Sequence, residues 1–171
     1  MDNGTPSAVP APEHQTLDTL ASGGTVQFIS FKIGDEEYAI DIMAVREIRA
    51  WSETTPLPNQ PDFVRGVLNL RGTIVPIYDL RRRFGLGVTD AGPTHVIVIV
   101  HVLDRTIGLL VDAVSDILTV GAAQIRPVPD ADRVTAAEFL SGIIAIDDGM
   151  VVMLALEKLF TRPTLPSAIA A

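Results

Sequence analysis

The sequence predicts an all-β protein made of small barrels, and three observations carry that prediction. About ten short apolar runs, rich in β-branched Val and Ile, are separated by turn residues. No alternation of strands with long helical patterns appears, so a parallel βαβ sheet is not expected. The runs fall into two groups, one before about Pro93 and one after, which makes two small barrels in series the natural division.

Residues 1–24 are rich in Pro, Ala, Ser, Thr and Gly and lack apolar periodicity apart from Leu17 and Leu20, so a flexible arm is expected. Order begins near Thr25. TVQFISFKI alternates, with Ile29, Phe31 and Ile33 on one face and Val26 and Phe28 on the other. Gly34-Asp35-Glu36 turns the chain, and EYAIDI returns as the second strand of a hairpin. MAVREIRAW is compatible with a helical turn or a further strand. In the strand reading Val45, Glu47 and Arg49 share a face opposite Arg46, Ile48 and Ala50.

A proline-bearing loop, TTPLPNQPDF, leads to GVLNLRGTIVPIYDL, two strands around a tight Arg71-Gly72 turn. Gly72 accepts φ > 0 without steric cost, as a two-residue or bulged hairpin turn requires. Pro76 cannot donate to a ladder and calls for an edge or a bulge. Asp79 is an N-cap for a short helix, LRRRFGL, with Leu80 and Phe84 on one face. Residues 89–93 read as the divide between two halves. THVIVIVHVL is then a strand apolar on both faces, and TIGLLVDAVSDIL returns as a strand in which Gly108 marks a bulge or a close approach. Ala122 to Thr135 is a broken loop, Phe139 to Ile146 a strand, and Asp148-Gly149 a hairpin turn into MVVMLAL. ALEKLF gives a last helical turn, and residues 161–171 a loose tail.

The chain has 171 residues, 47% of them hydrophobic, enough for one domain or two small intimate ones with a real core. A net charge of -8 argues against nucleic acid or an anionic membrane surface as the main partner. With no cysteine there is no disulfide, thiolate nucleophile or Cys-type zinc site. No apolar run reaches the ~18 residues of a spanning helix and no signal pattern opens the chain, so a cytoplasmic protein without membrane insertion is expected.

Chemistry is sparse. His95 and His101 flank the VIVIV run about 20 Å apart, too far to share a metal. Asp112 and Asp116 would lie about 13 Å apart on one strand face, beyond a glycosidase pair. A hydrolase reading would have to rest on those two. No phosphate loop or dinucleotide fingerprint is present, and Arg81-Arg82-Arg83 reads as a solvated helix face or a weak acidic-partner site. An interaction module without catalysis, cofactor or metal is the expectation. Glu47 and Arg71 either pair with each other or serve a partner.

FKIGDEEYAIDIMAVREIR, PDFVRGVLNLRGTIVPIYDLRRRFG, GLLVDAVSDIL with AAQIRPVP, and FLSGIIAIDDGMVVMLALEKL together resemble CheW, the coupling-protein family of bacterial chemotaxis. The resemblance covers about residues 26–160, with NLRGTIVPIYDLR its most specific piece. It implies two intertwined five-stranded, SH3-like barrels with short helical turns over 25–160. It also implies a non-enzymatic adaptor bridging the regulatory domain of the histidine kinase CheA to the cytoplasmic tips of methyl-accepting receptors, in arrays at the inner face of the membrane. An array serving another motility or developmental pathway is the alternative. By resemblance the receptor groove falls to Val45, Glu47, Arg71, Gly108 and Val114, and kinase contact or coupling to Ile48 and Gly66. Val45, Ile48 and Val114 read equally well as core, and Gly66 and Gly108 as backbone requirements.

Overall fold

Side-chain alternation decides the layering, because the central strands are covered on both faces. The computed structural model describes residues 18–128, 139–147 and 149–160. The N-terminal part of the expected arm, the expected C-terminal tail, part of the loop before Phe139 and Asp148 of the expected hairpin turn lie outside the described residues. Residues 18–24 form a helical turn in which the Ser22 amide donates to the Asp18 carbonyl at 3.1 Å.

Eleven strands make two sheets. They are β1 (Thr25–Ile33), β2 (Glu36–Asp41), β3 (Val45–Ala50), β4 (Val64–Leu70), β5 (Thr73–Asp79), β6 (Val96–Val102), β7 (Arg105–Val111), β8 (Ala113–Gly121), β9 (Ile125–Arg126), β10 (Leu140–Ile146) and β11 (Gly149–Leu154). One sheet has the order β8-β1-β2-β11-β10-β9 and the other β3-β6-β7-β5-β4. Two short helices, α1 (Leu80–Arg83) and α2 (Leu156–Phe160), follow β5 and β11.

The segment 89–93 joins strands of one sheet, since β3, β4 and β5 precede it and β6 and β7 follow it. The last strands return to the first sheet, where β11 runs parallel to β2. The second sheet is thus inserted within the first along the chain, and the two do not stand in series. The expected strand TIGLLVDAVSDIL is also two strands: it breaks at Asp112, with β7 in one sheet and β8 in the other. Pro76 lies inside the sheet, yet the pairing of β5 with β7 starts only at Ile77, so at Pro76 the missing donor costs no parallel ladder bond.

Three apolar cores result. Ile29, Phe31 and Ile33 of β1 face Val98, Val100 and Val102 of β6 and Ile107, Leu109 and Val111 of β7 in a layer shared by both sheets. Phe28 points the other way, to Ala39, Val120, Ile144 and Val151. Ile97 and Ile99 likewise point away from the shared layer, to Val75, Ile77 and Leu110. Each fully buried aliphatic contributes about 1.5–3 kcal/mol of transfer free energy. No helix among the described residues is long and apolar enough to cross a membrane.

Helix α1 fixes how the sheets overlap. Asp79 caps it, accepting from the Arg82 amide, and Leu80 and Phe84 enter the shared layer. The Phe84 ring lies 5.2 Å from that of Tyr38 on β2. The β2 half of one sheet therefore packs against the β5–α1 end of the other.

Tyr38 is 1% exposed, and its hydroxyl donates to Glu36. Burial first, then that hydrogen bond and the Glu36 charge, push the phenol well above its ordinary value. A raised folded-state pKa gives stability that is complete below the unfolded value of about 10 and is lost as pH climbs beyond it. Denaturant unfolding from pH 8 to 11 will show stability declining above about pH 10. Tyr38→Phe will flatten that decline.

A candidate functional site at the seam of the two sheets

The edge strands β3 and β8 each carry a bulge near their start. Edge strand β3 pairs only with β6, and its register slips between Val45 and Glu47, leaving Arg46 extra. Val45 lies opposite Val100 and Ile48 opposite Val98, so both face the shared layer, whereas Glu47 and Arg49 lie opposite Ile99 and Ile97 on the other face. The even alternation that groups Val45 with Glu47 is thus corrected: the bulge shifts the phase by one residue. Edge strand β8 pairs only with β1 and slips at Ser115, placing Ile117 opposite Ile29 and Val114 opposite Phe31. Val45 and Val114 are half-buried against the shared layer. Ile48 and Ile117 are 45% and 52% exposed. Val45 and Ile48 on β3, and Val114 and Ile117 on β8, are thus turned to the face of the shared layer.

Glu47 and Arg71 stand on the closure of the second sheet. Arg71 and Gly72 both have positive φ, 51° and 85°, forming the expected two-residue turn. The turn carries Arg71 back across the sheet, where its Nη2 donates to Glu47 Oε2 at 3.2 Å while the side chain stays 82% exposed. Arg49 approaches the same carboxylate at 3.7 Å. The closure is completed by a backbone bridge between Thr55 and Val67, with N–H···O distances of 3.0 and 2.9 Å.

Gly66 belongs to that closure. Its φ is 145°, and a Cβ there would run into the Thr55 carbonyl and come within 2.9 Å of Thr54 Oγ1. Gly108 stands apart from the seam. A Cβ on it would strike Ile77 and lie 2.9 Å from Ile97 Cγ2, inside the second barrel's own core. The missing side chain allows the close backbone approach that the sequence expects at this glycine.

The remaining charged candidates are engaged internally. Asp112 accepts from the Gly34 amide and from Arg81 Nη2, both at 2.7 Å, and lies 3.6 Å from His95 Nε2. Asp116 Oδ1 accepts from the Ile117 amide. Arg82 pairs with Asp62 at 3.0 Å. Arg83 lies 4.5 Å over Phe63 and 4.4 Å over Phe139. The arginine run is thus structural, and neither Asp112 nor Asp116 is poised for hydrolysis. Ile117 was missed by sequence reasoning; the one signal for it was Asp112 interrupting an apolar run.

The model of the CheW-like domain family matches residues 27–164. This chain belongs to the CheW family. It is 44% identical to the chemotaxis protein CheW of Rhizobium meliloti over 141 residues, covering 82% of this chain and 90% of that protein. It is 42% identical to the chemotaxis protein CheW of Klebsiella aerogenes over 148 residues, covering 85% and 89%. The crystal structure of the scaffolding protein TtCheW from Thermoanaerobacter tengcongensis superposes with a TM-score of 0.75 at 33% identity, covering 82% of this chain and 95% of that one. The CheW fold of two small β-barrels is therefore the fold of this chain.

Stability will separate the two kinds of residue. Gly108→Val will cost about 1–3 kcal/mol in urea unfolding, through overpacking. Gly66→Ala will cost a similar amount, about 1–3 kcal/mol, through backbone strain and the clash at Thr55. Arg71→Ala will change stability by less than about 1 kcal/mol, because the pair with Glu47 is exposed on the arginine side.

Proposed function

We propose that this CheW-family chain is a non-catalytic adaptor whose seam seats the helical hairpin tip of a methyl-accepting receptor, coupling that receptor to the histidine kinase CheA. The observation that supports the seat is the pair of bulged edge strands, which turn Val45 and Ile48 of β3 and Val114 and Ile117 of β8 to the shared-layer face, Ile48 and Ile117 half exposed; the two strands would together form the trough. A helix presents apolar anchors at i, i+3, i+4 and i+7, and such anchors suit a shallow aliphatic trough with charge at its rim. Arg71, almost wholly in solvent, is held by Glu47 on the other face of β3 from Val45 and Ile48, and would reach the receptor tip around that strand's edge.

The kinase side falls to the closure of the second barrel. Ile48 shares the edge strand with the receptor residues, and Gly66 sets the path of the loop at Thr55. A regulatory domain of similar barrel fold would meet these strand ends, while Gly108 acts indirectly by keeping the barrel core closed. Neither contact need be strong alone, because receptor and kinase held in one array raise each other's effective concentration. The adaptor would then work in the cytoplasm, at the inner face of the membrane.

A pull-down with a receptor cytoplasmic fragment and with CheA tests this. Wild type will retain both partners. Folded Arg71→Ala will lose receptor binding by about tenfold, equivalent to roughly 1.4 kcal/mol, and keep the kinase. Wild type that binds neither partner would sink the adaptor reading. A folded Arg71→Ala with undiminished receptor binding would remove the hairpin tip from the site.

A further inference from the structure

A bulge has to satisfy the backbone groups it takes out of the ladder, and in β8 two side chains do so. Ser30 is 0% exposed, on the face of β1 opposite Ile29 and Phe31. Its hydroxyl donates to the Asp116 carbonyl at 3.2 Å and accepts from the Asp116 amide at 3.1 Å. The next amide, that of Ile117, donates to the Asp116 carboxylate at 2.9 Å. The irregular stretch around the extra residue Ser115 is thus held from inside the barrel by a serine and from outside by an aspartate.

The bulge has a definite effect on the surface. Val114 and Ile117 are three residues apart, and in a regular strand an odd spacing puts two side chains on opposite faces. Only the extra residue brings both to the shared layer, opposite Phe31 and Ile29. If the strand paired evenly, Val114 and Ile117 would alternate, and one of the two would leave the seam.

We propose that Ser30 and Asp116 are positioning residues: their side chains hold the β8 bulge that turns Val114 and Ile117 together onto the seam, and so set the receptor-binding surface without touching the receptor. This rests on the reading of the seam as the receptor seat. A buried serine hydroxyl in a strand center is otherwise an unfavorable choice, since its polar group needs partners away from water. Here both partners are the backbone groups of Asp116, the residue after the extra Ser115.

The test uses the full chain as wild type, Ser30→Ala, Asp116→Ala, Asp116→Asn and Ile117→Lys. Each is measured for binding to a chemoreceptor cytoplasmic fragment and, separately, to the regulatory domain of CheA. Circular dichroism checks the fold, and amide hydrogen exchange is read over residues 113–121. Ser30→Ala and Asp116→Ala will bind the receptor fragment about five- to tenfold more weakly, bind the kinase domain like wild type, and exchange faster across β8. Asp116→Asn keeps the accepting oxygen and will restore receptor binding. If Ile117→Lys binds the receptor like wild type, the seam is not the seat and both the reading and the inference fall. If Ile117→Lys loses the receptor while folded Ser30→Ala and Asp116→Ala retain it, the seat stands and the inference is wrong. Equal loss of both partners, or Asp116→Asn as weak as Asp116→Ala, also overturns it. Where Ser30→Ala fails to fold, the two Asp116 variants decide.

Discussion

The apolar layer shared by the two sheets is the constraint on which the rest of the molecule depends. Ile29, Phe31 and Ile33 meet Val98, Val100, Val102, Ile107, Leu109 and Val111 across it. The same three strands use their other faces to fill the two barrel interiors. Strands buried on both faces have no surface to offer a partner, which leaves the edges, where β3 and β8 pair on one side only among the described residues. Polar pins hold the layers in place: Asp112 links the β1–β2 turn to α1, and Asp79 accepts from the amide and hydroxyl of Thr89, tying down the loop beyond α1.

Free edges carry a hazard, because unpaired strand backbone invites pairing with another chain. This protein bends both edges out of regular pairing with bulges, which break the flat template a second strand would need. The same distortion gathers aliphatic side chains that even alternation would have divided between two faces. One device therefore both protects the edge and shapes its apolar surface.

Near-neighbor features were legible in the sequence. The Arg71-Gly72 turn, the Asp79 cap and the two-faced alternation of β1 each depend on residues a few positions apart, and each stands as expected. The apolar run of β6 announced a strand covered on both sides, which the shared layer and the second core confirm. What was not legible depended on distant partners. The facing of Glu47 was misjudged because one extra residue in β3 shifts the phase, and nothing in VREIRA marks where that residue sits. The break at Asp112 was hidden because both strands beside it are apolar. At Gly108 the direction of the close approach was open, and only the structure shows that a Cβ there would point at Ile77 and Ile97.

The insertion of one sheet within the other has a consequence for how the chain acquires its structure. The chain crosses from one sheet to the other after β2 and again after β7, and β11 comes back to lie beside β2. The first sheet is built from two separated pieces of sequence, β1–β2 and β8–β11, with the continuous second sheet, β3 to β7, inserted between them, so the first cannot be cut out as one piece. The first sheet stays incomplete until strands more than a hundred residues downstream have been made, since Tyr38 pairs with Val152. Contacts so remote in sequence require large loops to close before burial rewards them, which places folding among the slow, millisecond-to-second β-proteins and leaves the nascent chain holding unpaired strands until its last hairpin arrives.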